Sequence, residues 1–303
     1  MKTFLSSTSI VVGAALFTVL SAVVANADDA SPKLKAKSFI IPEIVAHRGA
    51  SHAAPENTLP SFELAWKEGA DGIEGDFYLT KDGKIICTHD KTTERLTGGA
   101  DNRVVADSTF DELRQLDVGS WKGEQFKGVR MPSLDEVLAT IPDGKKLLIE
   151  IKCGPEIVPA LKATVEDWPA EQLRIISFNS DVIAACRREL PAIKAFWLTG
   201  YKETAKGNGQ WSPTFGSVME TLQRTKASGL DSNAHETVDE TLVKKLRAAN
   251  LEFHVWTVDD PAVAKRFADL GVDSITTNRP QWLRQQLSAA TETNSESVAA
   301  PTN

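Results

Sequence analysis

The chain has 303 residues, of which 42% are hydrophobic and 25% are charged, with 19 glycines and 14 prolines. These proportions are typical of a globular protein and exclude collagen-like, low-complexity and wholly disordered chains. The 41 acidic and 34 basic residues give a net charge of -7, so the surface repels a phosphate backbone and no nucleic-acid partner is expected. A small phosphorylated substrate is compatible with this charge, because a local pocket can oppose the overall sign.

The first 27 residues have the features of a secretory signal peptide. Lys2 is followed by an apolar run from Ile10 to Ala25, and the run ends at the small-residue pattern Ala-Asn-Ala of residues 25–27. This run is too short and too weakly apolar for a spanning helix. We therefore expect cleavage after residue 27, no stable membrane insertion of the mature chain, and a periplasmic or secreted location. An uncleaved anchor is the alternative.

After a polar linker at 28–40, short β-type runs alternate with longer amphipathic runs over residues 41–287. The strand candidates are Ile44–Ala46, Gly72–Leu79, Ile85–Thr88, Lys146–Ile151, Leu173–Phe178, Ile193–Leu198, Gly229–Ser232, Leu251–Val258 and Ser274–Thr276. The helix candidates are Leu59–Glu68, Ile157–Glu166, Asp181–Glu189, Phe215–Ser228, Glu240–Ala249 and Pro261–Leu270. This alternation predicts an α/β fold, a (β/α)8 TIM barrel. Nine strand candidates exceed the eight positions of such a barrel, so one is an extra or a paired strand.

Two stretches depart from the alternation. Residues 91–144 contain no strand–helix unit, but they carry a helix start at 108–111 and a capping box at 133–136. We interpret 91–144 as a small inserted subdomain beside the barrel mouth. Residues 288–303 are rich in Ala, Thr, Ser, Asn and Glu, which predicts a disordered tail.

The three cysteines are Cys87, Cys153 and Cys186. Their spacing matches no zinc motif, and an odd number permits at most one disulfide. We interpret them as small buried residues, with one disulfide as the alternative.

Four predicted strand ends carry ionisable side chains, and in a barrel of this kind these ends meet at one face. The side chains belong to His47, Arg48, Glu74, Asp76, His89, Asp90, Glu150 and Lys152. Because strand residues alternate, Glu74 and Asp76 share a face, and so do Glu150 and Lys152.

Two carboxylates 4 Å apart repel by about 4 kcal/mol at an effective dielectric of 20, so three together need raised pKa values or a divalent cation. Oxygen ligands suit Ca²⁺ or Mg²⁺. Structural salt bridges, such as Glu150 with Lys152, are the alternative.

The Asp82-Gly83 pair between the second and third strand candidates indicates a tight hairpin. A two-residue loop places Lys81 opposite Lys84 and, counting back, Asp76 opposite His89. We therefore expect a carboxylate and an imidazole side by side, about 5 Å apart at Cβ.

Seven short motifs follow one another between Ile44 and Pro280: IVAHRGAS, APENT, IEGDFYLTKDG, THD, LLIEIK, VWTVDD and GVDSITTNRP. Each is weak alone, but their ordered combination resembles the glycerophosphodiester phosphodiesterase family, whose barrel is similar to that of the phosphatidylinositol-specific phospholipases C. The resemblance implies hydrolysis of small-molecule glycerophosphodiesters to sn-glycerol 3-phosphate and an alcohol, with a divalent cation, Ca²⁺ or Mg²⁺. It implies nothing about the oligomeric state.

Carried over residue by residue, the resemblance implies roles for each member of the strand-end group. The implied metal ligands are Glu74, Asp76 and Glu150. His47 and His89 are the implied general base and general acid, and Arg48, assisted by Lys152, is the implied phosphate-binding residue. This chain departs from common family patterns at Gly75, Asp259 and Asn278, which are not among the implied metal or acid/base positions.

Two further residues are candidates for the pocket. Glu56 follows His47 in a loop, where it is either an outer contact to metal or substrate or part of a helix-opening loop. Trp256 ends a late strand, where it either lines the pocket or belongs to the core. A secreted phospholipase of the sphingomyelinase D type, acting on intact lipids, is the alternative enzyme. A non-catalytic solute-binding barrel is the alternative outside the enzymes.

Overall fold

The computed structural model describes residues 41–299. The predicted signal peptide, the linker at 28–40 and residues 300–303 lie outside this range. Within residues 41–299 no helix is both long and apolar enough to cross a membrane.

Eleven strands and nine α-helices make up the described part of the chain. The strands are β1 Glu43–His47, β2 Gly72–Leu79, β3 Ile85–Cys87, β4 Lys146–Ile151, β5 Leu173–Ser177, β6 Lys194–Thr199, β7 Lys202–Glu203, β8 Trp211–Ser212, β9 Gly229–Asn233, β10 Glu252–Trp256 and β11 Ser274–Thr277. The helices are α1 Leu59–Lys67, α2 Phe110–Leu113, α3 Leu134–Leu138, α4 Val158–Val165, α5 Ser180–Glu189, α6 Phe215–Thr225, α7 Glu240–Ala248, α8 Pro261–Leu270 and α9 Pro280–Ala299.

Eight parallel strands close into a ring. Their order is β1-β2-β4-β5-β6-β9-β10-β11, and β11 pairs with β1 to complete the barrel. The predicted (β/α)8 TIM barrel is thereby confirmed. The ninth strand candidate is β3, which pairs antiparallel with β2 outside the ring. Strands β7 and β8 form a separate small ladder that the sequence patterns did not indicate.

Strand alternation divides the apolar residues between two sides of the barrel wall. Ile44 and Ala46 belong to the large outer cluster between strands and helices, whereas Val45 packs inside the ring with residues such as Leu148 and Phe196. Each side chain of this size contributes about 1.5–3 kcal/mol when it is fully buried. The two layers make the strands rigid, and this rigidity fixes the positions of the side chains at their ends.

The inserted segment has a small apolar core of its own. Val105, Leu113 and Met131 pack against Tyr78 and Ile86 of the β2–β3 hairpin. One helix of the predicted insertion at 91–144 packs elsewhere, and the boundary at 144 stays a prediction. Helix α3 lies within this segment, yet its apolar residues pack into the main barrel core, because α3 covers the barrel wall as the other outer helices do.

Both helix starts that the sequence indicated in this region are confirmed. Thr109 begins α2 and accepts a hydrogen bond from the backbone N–H of Glu112. Ser133 begins α3 and accepts one from the backbone N–H of Glu136. In each case the glutamate side chain reaches back to the capping residue, which is the reciprocal arrangement of a capping box.

The predicted register of the β2–β3 hairpin is wrong by one residue. Thr80 donates its backbone N–H to the carbonyl of Lys84, so the loop has three residues. Counting back along the ladder from this pair places Thr88, rather than His89, opposite Asp76. The physical reason is the turn: Gly83 has φ +76° and its N–H bonds the carbonyl of Thr80. A turn followed by a left-handed glycine is the usual three-residue hairpin loop.

Helix α9 runs to Ala299 and so extends into the segment 288–303, for which the disordered tail stays a prediction. The first turns of α9 are anchored by the buried side chains of Leu283 and Leu287. Once a helix is nucleated, each further residue adds a hydrogen bond for little entropy, which favours propagation through an Ala- and Glu-containing segment.

The cysteine interpretation holds for two of the three residues. Cys87 and Cys186 are buried, whereas Cys153 is only partly buried, and all three are free thiols.

Candidate active site

Three carboxylates converge where β2 and β4 end. Glu74 and Asp76 lie two residues apart on β2, and Glu150 is the register partner of Asp76 on β4. One oxygen of each lies within 4.8 Å of the others, and their exposed fractions are 2%, 1% and 9%. Burial, followed by the neighbouring carboxylates, raises the pKa of Glu74 well above its usual value and that of Glu150 to about 7. The cluster therefore carries electrostatic repulsion that a cation relieves.

Two basic side chains neutralise part of this charge. Nε of Arg48 lies 3.1 Å from Oδ2 of Asp76, and Nζ of Lys152 lies 2.6 Å from Oε1 of Glu150 and 3.3 Å from Oδ1 of Asp76. Despite its burial, Asp76 has a lowered pKa, because both cations and a hydrogen bond favour its charged form. The Glu150–Lys152 salt bridge, the alternative to a cation site in the sequence interpretation, is thus present within the acidic cluster.

The cluster fits a divalent cation. Oε1 of Glu74 is buried and accepts no hydrogen bond within the described residues, which leaves a carboxylate oxygen without a protein partner. Glu74, Asp76 and Glu150 offer only oxygen atoms, the ligand type that Ca²⁺ and Mg²⁺ prefer. An unpaired buried carboxylate oxygen beside two more is costly without an ion.

Asn57 holds Asp76 in place. Its Nδ2 donates to Oδ2 of Asp76 at 2.8 Å, and its Oδ1 accepts from the backbone N–H of Asp76 at 3.1 Å. Asn57 has φ +57°, a left-handed conformation that asparagine tolerates better than most residues. Thr58, the next residue, is the N-cap of α1.

His47 is oriented by the last strand of the barrel. Nδ1 of His47 lies 2.8 Å from Oδ1 of Asn278, and Nδ2 of Asn278 donates to Oδ2 of Asp259 at 2.6 Å. A carboxylate only accepts, so the Asn278 amide must present its NH2 to Asp259 and its oxygen to His47. This arrangement places the proton on Nδ1 of His47 and leaves Nε2 as an acceptor. Burial, followed by the charge of Arg48, lowers the pKa of His47, which keeps the ring neutral near pH 7.

His89 has a different partner. Its Nδ1 lies 2.7 Å from Oδ1 of Asp90, and Oδ2 of Asp90 accepts from Nε of Arg95 at 2.5 Å. Because a carboxylate only accepts hydrogen bonds, this contact places a proton on Nδ1 of His89. The two histidines thus have unlike surroundings, an amide for His47 and a carboxylate for His89.

The turn after β1 positions Arg48. Arg48 and Gly49 both have positive φ, 56° and 81°, and a Cβ on Gly49 would lie 2.4 Å from Oγ of Ser61. This tight turn directs the guanidinium of Arg48 towards Asp76 and towards Oε1 of Glu56, 3.0 Å from its NH1. Glu56 also pairs with Arg95 at 2.7 Å. Glu56 therefore orders two arginines, and it does not belong to the acidic cluster.

A cavity of about 180 Å³ opens over these groups. Its lining residues are His47, Arg48, Glu74, His89, Glu150, Lys152, Ile176, Phe178, Leu198, Asp231, Trp256, Thr257 and Thr276. The cavity thus brings together all four predicted acid/base and phosphate-binding residues, two of the three predicted metal ligands, and Trp256. Asp76 lies in the carboxylate cluster just described, and Glu56 is not among the lining residues.

A second cavity of about 440 Å³ adjoins the first. The two share Glu150, Lys152 and Phe178, and the larger one also contacts Tyr78 and Lys91. Phe178 is 49% exposed, so a large aromatic side chain stands between the two cavities in contact with solvent.

The sequence reasoning missed three polar residues of the site. Asn57 lay in a quoted motif, Asn278 was noted only as a departure from family patterns, and Asp231 lay inside a short strand candidate. One sequence feature could have marked Asn278 and its partner Asp259 as site residues. Both follow the ends of barrel strands, where the functional residues of such barrels concentrate.

Comparisons with known proteins agree with this geometry. The sequence model of the Glycerophosphoryl diester phosphodiesterase family matches residues 47–282. The chain is 34% identical over 248 residues to a glycerophosphodiester phosphodiesterase of Caldanaerobacter subterraneus, covering 79% of this chain and 95% of that one. It is 31% identical over 255 residues to a glycerophosphodiester phosphodiesterase of Bacillus subtilis, covering 78% and 83%.

A solved structure extends the likeness to three dimensions. A phosphodiesterase of Oleispira antarctica, in complex with the product sn-glycerol-3-phosphate, superposes with a TM-score of 0.71 at 27% identity, covering 82% of this chain and 97% of that one. Sequence and fold thus agree over the barrel that carries the acidic cluster and both histidines. The chain therefore belongs to the glycerophosphoryl diester phosphodiesterase family of phosphodiester hydrolases.

Proposed function

We propose that this protein hydrolyses glycerophosphodiesters to sn-glycerol 3-phosphate and an alcohol in a metal-dependent reaction, with His47 as general base and His89 as general acid. The observation that carries the proposal is the three-carboxylate cluster, two members of which line one cavity together with two histidines whose Nδ1 atoms are already engaged. The product bound in the Oleispira antarctica phosphodiesterase supports the glycerophosphate part of the assignment.

Charge neutralisation is the first requirement of the reaction. A phosphodiester carries one negative charge, and more charge develops on its oxygens when a nucleophile attacks. Arg48 and Lys152 line the cavity, and the guanidinium of Arg48 offers a planar pair of donors that suits phosphate oxygens. Glu74, Asp76 and Glu150 would hold a divalent cation, which when bound would supply further positive charge to the phosphoryl group.

Proton transfer is the second requirement. His47 is neutral near pH 7, and Asn278 holds its ring in the tautomer with Nε2 as acceptor. His47 therefore accepts the proton of the attacking group, which is either water or a glycerol hydroxyl; attack by the glycerol hydroxyl gives a cyclic phosphate that water then opens. The departing alkoxide is a poor leaving group and needs a proton. His89 supplies it from Nε2, and Asp90 orients the ring through its contact with Nδ1.

The test uses the purified mature protein and glycerophosphocholine, with released sn-glycerol 3-phosphate measured by a coupled dehydrogenase. We expect a chelator to abolish turnover and either Ca²⁺ or Mg²⁺, added separately, to restore it. His47→Ala, His89→Ala and Glu150→Gln should each lose about 100-fold or more of kcat with the fold intact by circular dichroism. His52→Ala is the matched control, because His52 is exposed and lies outside the cluster. Near-normal turnover of either histidine variant, or of the chelated enzyme, would remove the assignment.

The phospholipase alternative calls for an apolar surface at the barrel mouth. Among the described residues the exposed large apolar side chains are only Val104, Trp121 and Phe178. Sphingomyelin vesicles are therefore the contrasting substrate, and we expect no hydrolysis of them. The non-catalytic alternative requires a missing ligand or histidine, and this chain retains all of them.

We also propose export, on the strength of the amino-terminal pattern. An Asp28 amino terminus on protein recovered from the periplasm or the medium would support it. Recovery of the full-length chain from the cytoplasm alone would contradict it.

A further inference from the structure

One wall of the catalytic cavity has no role in the chemistry proposed above. The barrel strands form a closed ring in which β9 lies four strands from β2 in either direction. Asp231 on β9 and Glu74 on β2 both line the cavity. Asp231 therefore faces the substrate space from the side opposite the acidic cluster, too far round the ring to be one of its members.

One oxygen of the buried Asp231 carboxyl group has no hydrogen-bond partner among the described residues. Asp231 is 1% exposed, and the unpaired oxygen is its Oδ1. His254 is its register neighbour on β10, but Nδ1 of His254 lies 2.8 Å from Oγ of Ser274, and Nε2 lies 3.4 Å from Oε2 of Glu252. Leaving a buried polar group unsatisfied costs about 1–3 kcal/mol. An unpaired carboxyl oxygen in the lining of a substrate cavity indicates a ligand that donates a hydrogen bond to it.

Trp256 provides a second orphaned atom on the same wall. Its Nε1 is buried and makes no hydrogen bond within the described residues, although Trp256 lines the cavity. The ring contacts Phe178 edge to face, with 5.5 Å between centroids. The wall therefore offers one unused acceptor and one unused donor beside aromatic surface.

This combination matches a neutral polyol. A hydroxyl group donates one hydrogen bond and accepts others, and its carbon atoms pack well on aromatic rings. The glycerol end is common to all glycerophosphodiesters, and the smaller cavity suits a group of one size. The adjoining cavity of about 440 Å³ has room for alcohols of different size. Of the two ends of a glycerophosphodiester, the glycerol end is therefore the better match for the Asp231 wall.

We propose that Asp231 and Trp256 bind the glycerol hydroxyl groups of the substrate, with the carboxyl of Asp231 accepting a hydrogen bond from one hydroxyl and Nε1–H of Trp256 donating to a hydroxyl oxygen. This proposal rests on the proposed function and adds to it the residues that select for glycerol. They act in binding and take no part in proton transfer.

The test compares substrates that share glycerol with one that lacks it. Glycerophosphocholine and glycerophosphoethanolamine share the glycerol end, and bis(p-nitrophenyl) phosphate has no polyol. At pH 8, where the Asp231 carboxyl is ionised, Asp231→Leu should raise KM for both glycerol substrates about tenfold or more. Asp231→Asn and Trp256→Phe should raise it about threefold, because a hydrogen bond to a charged group is worth more than one to a neutral group. The kcat/KM ratio of either glycerol substrate to bis(p-nitrophenyl) phosphate should fall by the same factors.

Two control variants isolate the effect. Ser232→Ala changes the next residue of β9, on the other face of the strand, and Trp66→Phe removes an indole from α1. Both should leave the substrate ratio at the wild-type value. If Asp231→Leu does not fold, Asp231→Asn and Trp256→Phe decide the outcome.

An unchanged ratio in the folded Asp231 and Trp256 variants would overturn the proposal, and so would a change confined to glycerophosphocholine, which would assign the wall to choline. These results leave wild-type hydrolysis of glycerophosphodiesters intact, so they refute the glycerol site alone. A wild-type enzyme inactive on both glycerol substrates would instead refute the proposed function and the glycerol site with it.

Discussion

Asp231→Asn should be more stable than the wild type, and this gain in the free energy of unfolding should be larger at neutral pH than at acid pH. Burial raises the pKa of Asp231 from 3.8 to about 7. Between these two values the unfolded chain has lost the proton and the native protein retains it, so wild-type stability falls as the pH rises. A pKa difference of about three units corresponds to about 4 kcal/mol, and the whole penalty is present above pH 7.

The measurement is the free energy of unfolding from urea titrations at pH 4, 5.5 and 8, with no divalent cation present. Asparagine has the shape of the carboxyl but no charge, so the stability advantage of Asp231→Asn should grow by about 2–4 kcal/mol from pH 4 to pH 8. Glu63→Gln, on the exposed side of α1, is the control, and its difference from the wild type should stay constant. A pH-independent advantage for Asp231→Asn would refute the reasoning, because it would mean that the carboxyl ionises equally easily in both states.

Three more outcomes are expected. Ca²⁺ or Mg²⁺ should raise the melting temperature more at pH 8 than at pH 5 in thermal-shift assays. The reason is that the raised pKa values of Glu74 and Glu150 keep protons on these ligands at acid pH. Equal shifts of the melting temperature at both pH values would contradict the cation site. Asn278→Ala should lower kcat about tenfold or more with KM nearly unchanged, because the ring of His47 loses its orienting partner, and a change in KM alone would count against that role. In native protein titrated with a thiol reagent, Cys153 should react before the two buried cysteines, and simultaneous reaction of all three would disagree with their burial.

The strand-end groups were predictable from the sequence because parallel barrel strands deliver their carboxyl ends to one face. Glu74 and Glu150 lie on strands whose boundaries are clear from the sequence, and alternation alone shows that Asp76 shares the face of Glu74. No long-range information is needed for this inference. The hairpin register failed because an Asp-Gly pair suits both a two-residue and a three-residue loop, and these loops differ by one position in pairing.

The remaining site residues depend on contacts that no local pattern encodes. Asn278 reaches His47 from 231 residues away in the sequence. Asp231 lies on a parallel strand that is buried on both faces, so apolar alternation does not reveal which side chains face the cavity. Asn57 is recognisable as functional only once its two hydrogen bonds to Asp76 are known.

The link between His47 and Asn278 crosses the seam where the first and last strands of the ring pair. A nascent chain, or one whose carboxyl-terminal strand has come loose, lacks the amide that orients the base even when the acidic cluster is assembled. In the mechanism proposed above, such a chain is inactive. Catalytic activity therefore depends on closure of the barrel. Loss of the pairing between β1 and β11 should abolish activity before spectroscopic probes of the helices detect any loss of structure.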